Sequence, residues 1–169
     1  MLLSGEEIGK LFDNFQRSAF RMETQPVYTM EAEQDEIRQF LAGEPIPRGF
    51  NAGWHNEVRG NVAAGKTMTR LKVVRRPFTD YTRFLFAWAI PGNIEAGEDY
   101  RILDLTDTEL DIPSQDFWLF DEETVALLHF NDDGTLQSRE LAENVAPYLE
   151  WRDIALRESV PFGDYHPDE

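Results

Sequence analysis

The stretch GNVAAGKT, Gly60 through Thr67, decides how this chain is read. Its spacing, G-x-x-x-x-G-K-T, is that of the phosphate-cradling loop of nucleoside triphosphatases, which leaves a buried strand and enters a helix so that loop amides and the helix N-terminus face the phosphates. Here the surrounding pattern runs the other way. Trp54, Val58 and Val62 recur every four residues, as on one face of a helix, whereas Thr67 to Val74 is rich in β-branched residues and reads as a strand. Gly65 is then a helix C-cap. The expectation is a helix over 52–64, a strand over 67–76, and no nucleotide held between them.

Within that strand Thr69, Leu71 and Val73 fall on one face and Arg70, Lys72 and Arg76 on the other, so one side is apolar and the other basic. Pro77 closes it. Thr79 or Asp80 caps a helix through Tyr81, Phe84, Leu85 and Trp88, which Pro91 and Gly92 are expected to stop. Upstream, Ser4 and Glu7 have capping-box spacing ahead of the stripe Ile8, Leu11, Phe12 and Phe15, giving a helix over 5–16. A short extended piece at 19–22 follows, then a break at Pro26, a helix over 31–41 ended by Gly43, and a loop marked by Pro45, Pro47 and Gly49. Downstream, 101–105 and 117–120 read as strands with Pro113 between them; acidic turns at 121–123 and 132–134 bracket a strand over 125–130, and Leu136 begins an edge strand. A closing helix over 141–158 has Pro147 near its start or kinking it, with Tyr148, Trp151, Ile154 and Ala155 on its buried side. The organisation is therefore one α/β domain over 1–160, a mixed sheet flanked by helices: a mainly helical part over 1–45, a sheet core over 50–140, and the helix over 141–158. A flexible tail over 161–169 completes it.

At 169 residues with 41% apolar and 12% aromatic content, the chain is long enough to bury a sizeable core. The longest apolar run, 84–91, is far too short to cross a bilayer, and Glu6 and Glu7 stand where a secretory signal would be basic. A cytoplasmic protein without membrane contact is expected. No cysteine is present and only three histidines, which removes thiolate chemistry and leaves few metal ligands, so neither metal nor cofactor is expected. The net charge of −16 argues against direct nucleic-acid binding, which needs a concentrated positive patch. The charge is polarised, however. From Arg48 to Arg83 eight Lys/Arg face only Glu57 and Asp80, whereas from Asn93 to Asp133 thirteen acids face only Arg101. Either the two segments neighbour and neutralise each other in the fold, or one forms a true anion- or partner-binding patch.

The run from Arg75 to Arg83 joins a basic strand end to a capped helix start, where amides and guanidinium groups can gather around an anion. Candidate ligand-binding residues are Arg70, Arg75, Asp80, Tyr81 and Arg83; the structural alternative has Asp80 capping its own helix and pairing with Arg83 or Arg76. Phe117 to Asp121 has the form of a hydrophobic strand ending in a magnesium-binding aspartate, although any buried strand entering an acidic turn shares it. The acidic turns lack calcium-loop spacing and read as solvated. His129 reads as a half-buried packing residue, Trp54, Trp88, Trp118 and Trp151 as core, and no catalytic residue emerges.

Several stretches, GWHNEVRGNVAAGK, RLKVVRRPFTDYTRF, NIEAGEDYRIL, DFWLFDEETVALLHFNDDG and YLEWRDIAL, resemble an uncharacterised actinobacterial family of about this length. Its members are often encoded beside helix-turn-helix regulators, which implies a regulatory accessory role and supplies no catalytic residues. A weaker resemblance is to the phospholipase D-like superfamily, in the order of an amphipathic helix ending in Gly, a strand, a helix, a strand ending in acids, then a strand-turn-strand. That resemblance implies H-x-K-x-x-x-x-D on the hairpin, the histidine attacking phosphorus and the lysine holding phosphate oxygens. Counting back from Asp121, those places hold Ser114 and Asp116, and none of His55, His129 or His166 begins an H-x-K triplet. The implied catalytic site is degenerate. The expected function is a non-catalytic binding or regulatory accessory role, with a DNA-binding regulator as protein partner or a small anionic ligand. The alternative is a nucleotide- or phosphodiester-hydrolysing enzyme using Lys66 and Asp121 or rearranged groups.

Overall fold

Ser18–Glu23, which the sequence offers only as a short extended piece inside a helical N-terminal part, is the central strand of the molecule. The computed structural model describes residues 1–167. Its seven strands are β1 (Ser18–Glu23), β2 (Thr67–Val74), β3 (Asp99–Asp104), β4 (Asp116–Phe120), β5 (Thr124–Phe130), β6 (Leu136–Leu141) and β7 (Val160–Pro161), in the order β6-β5-β4-β1-β2-β3-β7. β1, β2 and β3 run parallel, and every other pairing is antiparallel. The sheet is thus mixed and helix-flanked, as expected, but a core confined to 50–140 is corrected: β1 and β7 come from outside that span. Both faces of β1 are buried, because Phe20 and Met22 enter one apolar layer while Arg21 and Glu23 point into the other side.

The helices are α1 (Gly5–Asn14), α2 (Gln34–Leu41), α3 (Ala52–Ala63), α4 (Asp80–Phe84), α5 (Ile90–Ala96) and α6 (Ala146–Glu158). Around Gly65 the chain direction matches the sequence reading. Gly60 to Ala63 are helical, Gly65 takes φ +85°, and its N–H and that of Lys66 donate to Val62 O and Asn61 O, each at 3.0 Å. Those amides close a helix and cannot cradle phosphate, while Lys66 Nζ lies 4.6 Å from the centroid of the Phe15 ring. The capping box of α1 is reciprocal: Ser4 N–H donates to Glu7 Oε2 at 2.7 Å and Glu7 N–H to Ser4 Oγ at 3.1 Å. At the next helix Thr79, not Asp80, is the cap, its hydroxyl oxygen accepting from Thr82 N–H at 3.1 Å.

Three expectations are corrected. Pro91 and Gly92 do not stop the helix that begins at Asp80; a π-helical segment, Leu85–Ala89, widens the ladder just before the proline ring, and α5 continues to a Gly97 cap. The closing helix starts at Ala146 with Pro147 in its first turn, because Leu141 ends β6. The tail is anchored as far as it is described: Val160 and Pro161 pair with Ile102 and Arg101, and Tyr165 Oη donates to Asp104 Oδ2 at 2.6 Å. Residues 168–169 of that expected tail lie outside the described residues. Among the described residues no helix is long and apolar enough to cross a membrane.

The two sheet faces differ in chemistry. Against α6 the layer is apolar at its centre, with Leu71, Leu103, Phe117, Leu119 and Val125 packed around Ala155, and Arg101 reaches Ser159 at its margin. The opposite face carries two separate apolar clusters, one around Phe84, Trp88 and Ile90 and one around Phe15, Val58 and Trp118. Charged side chains fill the ground between them.

Candidate functional site

Strand alternation aims Arg21 and Glu23 of β1, Arg70 and Lys72 of β2, Tyr100 of β3, and Asp116 and Trp118 of β4 at that same face. Arg21 stands beside Arg70 in the parallel register and beside Trp118 in the antiparallel one, while Glu23 stands beside Lys72. The result is a buried seam of ion pairs. Arg21 Nη2 donates to Asp116 Oδ2 at 3.0 Å and its Nη1 to Met22 O at 2.6 Å. Asp116 also accepts Tyr28 Oη at 2.6 Å, Thr24 N–H at 2.8 Å and Thr24 Oγ1 at 2.5 Å. Arg70 Nε donates to Glu98 Oε1 at 2.6 Å and its Nη1 to Glu23 Oε1 at 3.2 Å, where Tyr100 Oη also donates at 3.2 Å. Lys72, fully buried, donates from Nζ to Gln25 O at 3.3 Å. Taking these charges out of water costs several kcal/mol per ion, and only close pairing with complete hydrogen bonding offsets it. Among the described residues no buried side-chain nitrogen or oxygen lacks a partner.

Burial works against every charge in the seam, and the neighbours decide the outcome. For Arg21 burial opposes ionisation, but Asp116 and Glu23 outweigh it and raise the guanidinium pKa. Arg70 is raised in the same way by Glu98 and Glu23. For Glu23 burial pushes upward, yet Arg70, Lys72 and Arg21 together hold the carboxyl below its ordinary value. Lys72 is the exception: burial lowers its pKa, and Glu23 and Asp116 do not fully compensate. Burial and then Asp116 or Glu23 raise Tyr28 and Tyr100, so both remain neutral donors. Glu33, which accepts from Tyr81 Oη at 2.9 Å, is raised by burial.

Glu23, Asp104 and Asp121 have folded pKa values below their ordinary 4.5, 3.8 and 3.8. The unfolded state therefore binds their protons first, and the stability they contribute is present above those ordinary values and lost as pH falls through the folded ones. Glu33, shifted upward, has the opposite sign and offsets part of the loss. Urea unfolding across a pH series should give nearly constant stability from neutrality to about pH 5, then a steep decline below about pH 4.

Over the seam opens a cavity of about 310 Å³. Its floor is Arg21, Glu23, Arg70 and Trp118, its walls include Phe12, Tyr28, Tyr81, Leu128 and Phe130, and Arg139 lies at its edge on β6. The guanidinium carbons of Arg70 and Arg21 sit 5.3 and 5.9 Å from the Trp118 ring centroid. A larger hollow of about 740 Å³ lies beside Arg75 under the loop 105–112, but no buried charge lines it. Chemistry therefore favours the smaller one.

The five sequence candidates are divided by the fold. Arg70 lies in the seam and Tyr81 in the cavity wall, whereas Arg75 is exposed at the larger hollow. Asp80 and Arg83 are exposed at the start of α4; Arg83 Nη1 donates to Phe78 O at 2.7 Å, and Arg76 pairs with Asp104 and Asp107, so the expected Asp80 ion pairs do not form. The basic and acidic segments neighbour each other as β2 and β3, where Arg70–Glu98 and Arg76–Asp104 neutralise much of the polarity. Asp121 is not poised for magnesium: its carboxylate accepts the N–H groups of Gln16, Arg17 and Ser18 at 2.8, 2.6 and 3.0 Å. His129 is half-buried, with Nε2 3.1 Å from Glu140 Oε1. Sequence reasoning missed Arg21, Glu23, Glu98 and Arg139; only the alternation of charge along 19–23 pointed at the first two.

Ser114 is exposed in the connection before β4, and Asp116 is buried beneath Arg21, Thr24 and Tyr28. Among solved structures, Nuc from Salmonella typhimurium, a phospholipase D family member, is similar over 97% of this chain and 95% of its own, at 14% identity and a TM-score of 0.51. NucT from Helicobacter pylori is similar over 91% and 89%, at 11% identity and a TM-score of 0.45. The likeness to Nuc identifies the fold as phospholipase D-like. No curated protein sequence matches the chain. Residues 6–167 match a single family along almost the whole chain, and the protein belongs to that family, the domain of unknown function DUF6879.

Proposed function

We propose that the chain is a non-catalytic binding or regulatory accessory protein of the cytoplasm, built on a phospholipase D-like frame. The observation that carries this reading is Asp116. Where the superfamily's motif needs a lysine to hold phosphate, the chain has a buried carboxylate with its own arginine, tyrosine and threonine donors, which repels a phosphate and has no capacity left for one. The matching nucleophile position is Ser114, and the helical end of α3 removes Lys66 from contention. With a net charge of −16, the surface suits a basic protein partner such as a DNA-binding regulator. The rival reading is a phosphodiester hydrolase, the activity class of the phospholipase D family to which Nuc belongs.

The two readings separate cleanly. Purified protein is expected to give no turnover of bis(4-nitrophenyl) phosphate, single-stranded DNA or magnesium–ATP, with Lys66→Ala indistinguishable from the native chain in magnesium–ATP binding. Affinity capture of the native protein is expected to bring a stoichiometric partner. Turnover that tracks the protein through purification would establish the rival.

A further inference from the structure

Two guanidinium groups in the seam keep one nitrogen in reserve. Arg21 uses Nη1 and Nη2, and Arg70 uses Nε and Nη1; Arg21 Nε and Arg70 Nη2 have no hydrogen-bond acceptor among the described residues. Neither can be fully enclosed, because no enclosed side-chain nitrogen there lacks a partner. Both residues line the 310 Å³ cavity, and they are register neighbours on adjacent parallel strands, about 4.8 Å apart. At the cavity's edge Arg139, half-buried, has no carboxylate partner among the described residues, although the chain carries twice as many acids as bases. Among the described residues a third guanidinium is thus left without a carboxylate in a strongly acidic protein.

We infer that this cavity binds a small organic monocarboxylate with an aromatic or branched apolar body, its carboxylate accepting from the unused Arg21 and Arg70 edges, its body against Trp118 and Phe130, and Arg139 supplying the balancing charge from the cavity's edge. Charge fixes the class. Within the seam Arg21, Arg70 and Lys72 equal Asp116, Glu98 and Glu23 in number, with Arg21 paired to Asp116 and Arg70 to both glutamates, so one positive charge, that of Arg139, remains for the ligand. A phosphate monoester dianion would bring a second charge into apolar walls beside Glu23 with no cation to meet it. A planar carboxylate can accept from two neighbouring guanidinium edges at once. The cavity volume suits a molecule at the small end of the usual ligand range.

This inference rests on the binding reading above and can fail without it. The probe is 3-phenylpropanoate, compared by calorimetry and thermal shift with its neutral amide and with phenyl phosphate. Expected are saturable one-to-one binding of the acid, affinity for the amide weaker by about tenfold or more, and phenyl phosphate weaker than the acid. Arg139→Ala removes a half-exposed side chain with no ion pair, so the protein stays folded and loses about tenfold or more in acid affinity. Absence of acid binding at millimolar concentration, equal binding of acid and amide, tighter binding of phenyl phosphate, or an unchanged Arg139→Ala affinity would each overturn it. A null panel without phosphodiester turnover removes the ligand class alone; turnover removes the non-catalytic reading whatever the panel shows.

Discussion

Asp116→Ala is expected to lower unfolding free energy by about 3–5 kcal/mol, enough to unfold much of the protein at 37 °C if its native stability is ordinary. The substitution removes one carboxylate and strands four donors: the Arg21 guanidinium at 3.0 Å, Tyr28 Oη at 2.6 Å, and the Thr24 N–H and hydroxyl at 2.8 and 2.5 Å. An uncompensated buried cation dominates that sum, because Arg21 is only 6% exposed. The decisive control is the paired change Arg21→Met with Asp116→Leu, which replaces both charges by apolar volume. Buried ion pairs exchanged as a pair are often neutral or stabilising, so the double variant should be more stable than Asp116→Ala despite carrying two changes. Urea unfolding of the single and paired variants measures this. A loss under about 1 kcal/mol for Asp116→Ala would mean the seam is hydrated and its pairing immaterial.

What the sequence disclosed follows the range over which each feature is determined. The direction of the chain at Gly65 is a local matter, set by a four-residue recurrence and one left-handed glycine, and it was legible. Pro91 reads locally as a stop because the π turn that admits it is held by packing of Phe84 and Trp88 against Phe40 and Phe50, on segments far away in sequence. β1 is hidden for a similar reason. Six residues with Arg21 and Glu23 on one face look like a solvated edge strand, and only partners 95 and 47 residues away make those charges interior. Asp116 was found as a motif position by counting back from Asp121, but nothing local says that the carboxylate is enclosed. The seam is therefore the part of the fold that spacing conceals, since each of its charges is explained only by a charge on another strand.

Trp118→Ala is the second large effect, expected at about 3–5 kcal/mol, with Trp118→Phe costing about 1–2 kcal/mol. The indole is 8% exposed and is the contact between the seam and the cluster beneath α1. It stacks at 15° on Phe120, meets the edge of Phe12 at 4.8 Å and Trp54 at 5.9 Å, and spreads its face beneath Arg70 and Arg21. Removing it opens a void and withdraws the π surface from two desolvated cations; phenylalanine keeps most of the volume and a weaker face. Trp151, by comparison, is half-buried on α6, where its ring meets Tyr148 at 5.0 Å, and Trp151→Ala should cost clearly less. Chemical denaturation of the three variants ranks them. If Trp118→Ala and Trp151→Ala prove equally mild, the ring is a passive filler, and the guanidinium groups above it are held by their carboxylates alone.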